Sequence, residues 1–322
     1  DRAKVLHEID GRPMISYVVE TAAEIAGNSV SVVVGYQAEE VRRTGDEKFE
    51  VQFAFQENQL GTGHAVLQAM PDVEADSTVL VLYGDVPLIS AATLEELVAA
   101  AAFAPALLTA RVAEPFGYGR IVRDDSGALL AVVEHGDASE RELALDEINT
   151  GVLAAPAADL LHYLPGVGNA NTQGEYYLPD VLAMAVADGK NVATALAPLE
   201  LEVLGINDRV QLARVEREYQ RRHAENLMRA GVAVADPARI DVRGPLACGE
   251  GVSIDVNVVF EGRVVLGDGV SIGPGCVVTD AVIETGAVVH AMSHLQEVHV
   301  GAGASVGPYA RLRPGTELAD GA

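Results

Sequence analysis

Hydrophobic positions follow three different rhythms along this chain. From Pro13, the residues Met14, Ile15, Val18, Val19, Ala22 and Ile25 fall on one helical stripe, and Gly27 suits a C-terminal cap. Ser29 to Val34 then reads as a buried strand rich in β-branched residues, with similar runs at Val51 to Phe55, Thr78 to Tyr83 and Ala106 to Val112. Helical patterns lie between them at Gly63 to Met70 and Ser90 to Ala101, the latter with Ser90 as N-cap. Nearly continuous apolar strands alternating with helices predict an α/β domain with a Rossmann-like, mostly parallel sheet covered on both faces. Such sheets bind ligands at the carboxyl ends of their strands.

Asn207 to Gly231 is a different unit. Val210, Leu212, Val215, Tyr219 and Leu227 are spaced for one side of a long helix, and Arg214, Glu216, Arg217, Arg221, Arg222 and Glu225 occupy the other. It reads as a helical arm between domains, its charges a solvated face. After Ile240 the rhythm becomes six: Val252, Val258, Val264, Val270, Cys276, Val282, Val288, His294, Val300, Val306, Leu312 and Leu318, with only His294 outside the apolar set. Ile254, Phe260, Leu266, Ile272 and Val278 form a second series. No helix or flat strand repeats every six residues. A coil with three short faces per turn does, which predicts a left-handed parallel β-helix built from hexapeptide repeats. The series changes phase between Thr279 and His299, where a loop or irregular turn is expected. The expected domains are therefore 1–207, a linking helix at 208–230 and a β-helix at 231–322.

Composition narrows the partners. Lys and Arg number 22 against 47 Asp and Glu, a net charge of −25, and Lys4, Lys48 and Lys190 are the only lysines. Such a surface repels phosphate backbones, so no nucleic acid partner is expected. Cys248 and Cys276 form no CxxC pair, and neither a membrane span nor a secretory leader is legible. A cytoplasmic location is the expectation. An anionic substrate would have to find its positive charge locally, from a metal, a single cation or backbone N–H groups. The chain opens on Asp1 and closes on Asp320-Gly321-Ala322 without a capping helix, so it is expected to be a fragment.

Candidate chemistry gathers where strands end. Val79-Leu80-Val81-Leu82-Tyr83-Gly84-Asp85 delivers a carboxylate to a strand end, where it can hold Mg²⁺ or simply close a turn before Pro87. In Gln56-Glu57-Asn58-Gln59-Leu60-Gly61-Thr62-Gly63-His64, the glycines let backbone approach a ligand, and Gln56 and Thr62 suit a base edge; a tight strand-to-helix loop is the plainer alternative. Asn207-Asp208 can cap the arm helix or complete a metal shell, and Lys4 can neutralise phosphate or lie in solvent.

Taken together, Lys4-Val5-Leu6-His7, Gly11-Arg12-Pro13-Met14, Gln59 to Ala65, Tyr83 to Leu88, Gly117-Tyr118-Gly119-Arg120, Glu134-His135, Glu147 to Gly151, Gln173 to Tyr177 and Asn207-Asp208-Arg209 resemble the bacterial bifunctional N-acetylglucosamine-1-phosphate uridyltransferase/glucosamine-1-phosphate acetyltransferase family. The similarity runs on through the hexapeptide repeats to Ala310-Arg311-Leu312-Arg313-Pro314-Gly315. The resemblance implies a nucleotidyltransferase sheet domain that moves UMP from UTP to N-acetylglucosamine-1-phosphate, giving UDP-N-acetylglucosamine and pyrophosphate for cell-wall peptidoglycan. It implies Mg²⁺ on Asp85 and Asn207, with Lys4 on phosphate as a catalytic partner. UTP or UDP contacts are implied at Lys4, Gln56, Gly61, Thr62, Tyr83, Gly84 and Asp85, and sugar contacts at Gly119, Glu134, Asn149, Tyr177 and Asn207. It further implies a homotrimer through the β-helix and a second activity with acetyl-CoA, for which Arg313 matches a sugar-phosphate contact.

The departures are Ala3 in place of a usual proline, Pro179 in place of a hydroxyl residue, and a family glycine-rich loop that would precede Asp1. The remaining acetyltransferase residues would lie beyond Ala322, so loss of that activity is expected in this fragment; His290, His294 and His299 match none of them. Two alternatives stay open: another sugar-1-phosphate nucleotidyltransferase, and a non-catalytic scaffold of the same fold.

Overall fold

The computed structural model describes residues 2–44 and 51–322, so Asp1 and Lys48 lie outside the described residues. It divides into two compact units, one of residues 1–7 and 13–207, the other of residues 8–12 and 208–322. The sequence-based span 1–207 thus includes a short segment, Glu8–Arg12, that packs with the second unit.

In the first unit the periodicities become helices at Met14–Ala26, Thr62–Ala69 and Ala91–Ala100. Gly27 closes the first of them at φ 58°, and the Ser90 side chain accepts from Thr93 N. The main sheet runs in the order Ala193–Leu196, Ala106–Arg111, Glu147–Pro156, Arg120–Arg123, Leu129–Val133, with Thr78–Val81 also paired to Glu147–Pro156. The α/β class stands, and the pairing is mixed. Ala193–Leu196 runs parallel to Ala106–Arg111, whereas Glu147–Pro156 runs antiparallel to each of its neighbours. A separate parallel pair joins Ser31–Val34 to Gln52–Phe55.

The ten-residue strand Glu147–Pro156 was hidden in the sequence by Asn149-Thr150-Gly151, which reads as an interruption. The register against Ala106–Arg111 slips there, between Leu107 and Thr109. The Thr150 hydroxyl donates to the Leu108 carbonyl at 2.7 Å, satisfying a buried acceptor that the ladder misses. The slip leaves polar side chains at mid-strand without an orphaned carbonyl. Buried apolar residues fill both sides of this sheet, among them Leu107, Leu153 and Leu160 in one cluster and Leu94, Leu97 and Leu108 in another.

In the second unit Arg209–Arg229 is a single helix capped by Asp208, whose carboxylate accepts from Val210 N and Gln211 N. Its buried positions are Val215, Glu218, Gln220 and Ala224, while Val210 is exposed. The expected apolar stripe therefore needs amendment at two polar residues. Gln220 is 1% exposed because its amide donates to the Val242 carbonyl and accepts from Val242 N, extending the ladder of strand Ile240–Arg243 with a side chain. Glu218 is held by Arg221 and Arg222.

Asp10 and Gly11, at φ 54° and 70°, make a two-residue turn of the kind that suits a right-twisted hairpin. Asp10 N donates to Glu216 Oε2 at 2.9 Å. Burial, and then the Glu216 charge, push the Asp10 carboxyl up to about 6. A raised acid favours the folded state most when protonated, and that contribution is lost as pH rises through about 6. Asp10→Asn is therefore expected to raise the melting temperature of this unit at pH 7.5, with the gap to the parent closing towards pH 4. Calorimetry at the two pH values checks it.

The strands from Ala233–Val234 to Glu317–Leu318 stack as three five-stranded parallel sheets, the β-helix expected from the hexapeptide period. Partners are eighteen residues apart at Ile240↔Val258 and Ser253↔Ser271, and seventeen apart from Val265↔Val282 to His294↔Arg311. No loop intervenes. The inward series steps by five rather than six at two places, Val278 to Ile283 and Leu295 to Val300, all four fully buried. Each shortened corner carries a left-handed residue, Asp280 at φ 47° and Glu297 at φ 48°. This corrects part of the sixfold list: Val282 is 39% exposed, and Val288 and His294 are only partly buried, whereas Val300 and Val306 point inward again. Two successive one-residue shortenings carry an unbroken count of six from one inward series, through the outward positions, into the other.

Candidate active site

The chain leaves strand Thr78–Val81 through Leu82 and Tyr83 and turns at Gly84-Asp85, closed by Val86 N donating to the Tyr83 carbonyl. Ile206 N donates to the Asp85 carbonyl at 3.1 Å, which fixes Gly205-Ile206-Asn207 beside that turn. Asp208, not Asn207, caps the arm helix. Asn207 Oδ1 accepts from Lys4 Nζ at 2.9 Å, and the same ammonium forms an ion pair with Asp85 Oδ2. Lys4 reaches them from a single 3₁₀ turn, Lys4–Leu6, anchored by buried Leu6.

One carboxylate oxygen and one amide oxygen thus converge on a single cationic point. That donor set suits a hard cation such as Mg²⁺, which commonly takes one or two protein oxygens and completes its shell with water and substrate phosphate. Among the described residues no group of three or more His, Cys, Asp or Glu could hold a metal, so a thiolate or imidazole cage is not on offer.

Next to this point lies a pocket of about 240 Å³. Four of the sugar-contact candidates, Gly119, Glu134, Asn149 and Tyr177, line it together with Thr62 and Tyr83. Asn149 Nδ2 donates to Glu134 Oε1 at 3.4 Å, and Asn149 Oδ1 accepts from Gly151 N at 2.8 Å. Burial raises the Glu134 carboxyl above the usual range, against the lowering effect of Asn149. The Tyr177 hydroxyl is buried without a hydrogen-bond partner among the described residues, a group left for a polar ligand to satisfy. Tyr83 is hydrogen-bonded to the Thr62 side chain, and burial pushes its phenol up to about 12. Pro179 forms part of the same wall and offers no hydroxyl there.

Glycine matters here for clearance. A Cβ on Gly151, at φ 82°, would stand 2.6 Å from the Tyr83 ring, and one on Gly119 would stand 3.0 Å from Glu134 Oε1. Gly151→Ala is expected to push Tyr83 into the pocket and lower kcat/KM for the sugar substrate on the order of tenfold, at a stability cost of about 1 kcal/mol or more. Steady-state kinetics with a urea titration check both.

The glycine-rich segment behaves differently from the sequence reading. Gly61, at φ 113°, is crossed by the Tyr176 backbone, which would lie 2.7 Å from a Cβ. Tyr176 N donates to the Leu60 carbonyl and Gly63 N donates to the Tyr176 carbonyl, each at 2.8 Å. The close approach required by Gly61 and Gly63 is therefore to this protein's own chain. Gly84 is likewise tight against Ile15 and Val5. Gln56 is buried, its amide nitrogen on the Gly61 carbonyl and His64. Arg313 is exposed near the end of the β-helix, and Thr316 bonds its carbonyl. His290 and His299 lie on outer surfaces, with Ser305 and Glu284 as partners.

The sequence reading gave two contributors, quoted only within Gly117-Tyr118-Gly119-Arg120, no role of their own. Tyr118 walls the pocket, and its phenol, raised by burial, is hydrogen-bonded to the Gly205 backbone beside Asp85. Arg120 is 2% exposed and donates to the Tyr118 carbonyl, holding that wall from below. An arginine directly after Gly-Tyr-Gly was the available signal, but sequence alone places arginine at the surface.

Residues 1–147 match the family described as MobA-like NTP transferase domain, and residues 248–280 match the bacterial transferase hexapeptide family of six repeats. A strand-end carboxylate beside a pocket, on a sheet of this kind, followed by a hexapeptide β-helix, defines a nucleotidyltransferase with an appended transferase solenoid. Curated relatives agree along almost the whole chain. It is 53% identical to the bifunctional protein GlmU of Burkholderia thailandensis over 320 residues, covering 99% of this chain and 70% of the relative. It is 54% identical to that of Burkholderia mallei over 317 residues (98% and 70%) and 50% identical to that of Bordetella parapertussis over 324 residues (99% and 71%). The chain belongs to the GlmU family of bifunctional proteins.

Proposed function

We propose that the Asp85–Asn207 pair and the neighbouring pocket form one reaction centre, with Mg²⁺ as the cation that Asp85 and Asn207 hold. The chain is a UDP-N-acetylglucosamine diphosphorylase, transferring UMP from UTP to N-acetylglucosamine-1-phosphate with release of pyrophosphate. The product serves cell-wall synthesis. The observation that carries the assignment of residues is the convergence of Asp85 and Asn207 oxygens on Lys4 Nζ, at the edge of a pocket lined by Glu134, Asn149 and Tyr177.

The reaction brings a sugar phosphate oxygen, itself anionic, to the α-phosphorus of UTP. When bound, the metal screens that repulsion and aligns the two phosphates. Lys4, exchanging its carboxylate partner for phosphate, stabilises charge on the α-phosphate and leaving group. Glu134, Asn149 and the Tyr177 hydroxyl hold the sugar; Gln56 and Thr62 face the nucleotide, with Tyr83 and Gly84 shaping its floor. No covalent intermediate with the protein is required.

Pyrophosphate release measured across UTP, dTTP and GTP, and across several sugar phosphates, tests the substrates. Preference for any pair other than UTP with N-acetylglucosamine-1-phosphate favours a different sugar-1-phosphate nucleotidyltransferase. Chelation with EDTA is expected to abolish turnover and added Mg²⁺ to restore it; full activity in EDTA removes the metal. Hexapeptide β-helices favour oligomers, and the proposed state is a homotrimer; a monomer by light scattering counts against it. Arg313 is proposed as the sugar-phosphate contact of the family's second site, where acetyl-CoA is co-substrate. No helix among the described residues is long and apolar enough to cross a membrane, and the proposed compartment is the cytoplasm.

A further inference from the structure

Gln56 directly follows strand Gln52–Phe55, its own N–H donating to the Val34 carbonyl at 2.8 Å, so its backbone is fixed. Its side chain is nearly enclosed, at 7% exposure for the residue. The amide nitrogen meets two acceptors: the Gly61 carbonyl at 3.3 Å and His64 Nδ1 at 2.8 Å. A carbonyl can only accept, so the group facing Gly61 must be the NH₂ end. Both of its hydrogens are then used, and His64 Nδ1 acts as an acceptor with the ring proton on Nε2. The Gln68 amide nitrogen donates to the His64 carbonyl at 3.3 Å and stands 3.4 Å from Nε2, longer than the 2.8 Å contact that Gln56 makes with Nδ1. His64 is itself held in the first turn of helix Thr62–Ala69 and beside the Tyr176 ring, centroids 6.3 Å apart. What remains of Gln56 is Oε1, which has no hydrogen bond within the described residues and is not among the buried unpaired atoms.

We propose that His64 is a positioning residue for base selection: it fixes the Gln56 amide so that this side chain can present only an acceptor. The proposal rests on the reading of Gln56 as a base contact and extends it by one residue and one polarity. Uracil offers a donor, N3–H, between two carbonyls, whereas cytosine places a lone pair at N3. A fixed acceptor satisfies the first and repels the second. An unanchored amide could rotate and serve both.

The test is kcat/KM for UTP and for CTP, by pyrophosphate release, in the parent and in His64→Leu, His64→Asn and Gln56→Ala. His64→Leu removes the acceptor and is expected to lower the UTP/CTP ratio on the order of tenfold, about the net worth of one hydrogen bond, with KM for the sugar phosphate unmoved. His64→Asn, whose Oδ1 can accept in place of Nδ1, is expected to restore most of the ratio. A Leu variant with the parental ratio, beside a Gln56→Ala variant that has lost it, overturns the proposal and leaves Gln56 as the reader. An Asn variant no better than Leu also overturns it, since packing alone would then explain the effect. A parental ratio in Gln56→Ala refutes the Gln56 reading itself and the proposal with it.

Discussion

Asp85→Asn will lower kcat/KM for pyrophosphate release by about a hundredfold to a thousandfold while leaving the fold in place. The substitution is isosteric, and the side chain sits at the end of a turn whose hydrogen bonds are made by backbone, Val86 N to Tyr83 and Ile206 N to Asp85. What changes is charge. Among the described residues the carboxylate is the anionic partner of Lys4, and it offers a hard anionic oxygen to a divalent cation. Loss of a single preorganised electrostatic group at a charge-developing centre typically costs about 3–4 kcal/mol of transition-state stabilisation. Single-turnover rates at saturating UTP, with an unchanged urea midpoint, would show that chemistry rather than folding is affected. Activity within threefold of the parent would refute the assignment of Asp85 and revive the non-catalytic scaffold.

The largest structural effect is expected in the β-helix. Phe260 is 1% exposed in strand Val258–Glu261 and lies between Val242 and Val278 in successive rungs. Phe260→Ala opens a cavity that its neighbours cannot fill, because each is fixed by parallel pairing above and below. The cost should be about 3–5 kcal/mol. Rungs contact only adjacent rungs, so the damage should be local at first. Amide exchange should accelerate around residues 240–283 well before it does so in the sheet unit. A free-energy change under 1 kcal/mol, or uniform exchange, would contradict the inward packing of this ring.

Much of this architecture was legible, and the failures share a cause. Helices and strands with a single buried face appear where their periods place them, as at Met14–Ala26 and Ala91–Ala100. Glu147–Pro156 did not, because its polar middle answers a register slip in a neighbour more than forty residues earlier in the chain, which no local pattern encodes. For a related reason the buried Gln220 and Arg120 were not singled out: Gln220 bonds the Val242 carbonyl, and Arg120 bonds the Leu143 carbonyl besides that of nearby Tyr118. In the site, charge scarcity singled out Lys4, and the strand end singled out Asp85. The glycines of Leu60–Gly63 were read as making room for a ligand when the room is taken by Tyr176. Spacing reveals that a chain must pass close to something, and only the fold reveals to what.

The two abbreviated turns at Asp280 and Glu297 fall in the same column, flanked by Gly262 and Gly315, which also have positive φ. Length can therefore change at that edge without disturbing the ladders on either side, whereas one residue added inside Val282–Ile283 would exchange the inner and outer faces of the sheet there. Insertions and deletions tolerated by this solenoid should accordingly cluster along that single vertical seam. A scan of one-residue insertions through the repeats would trace it as a line of permissive sites running parallel to the long axis.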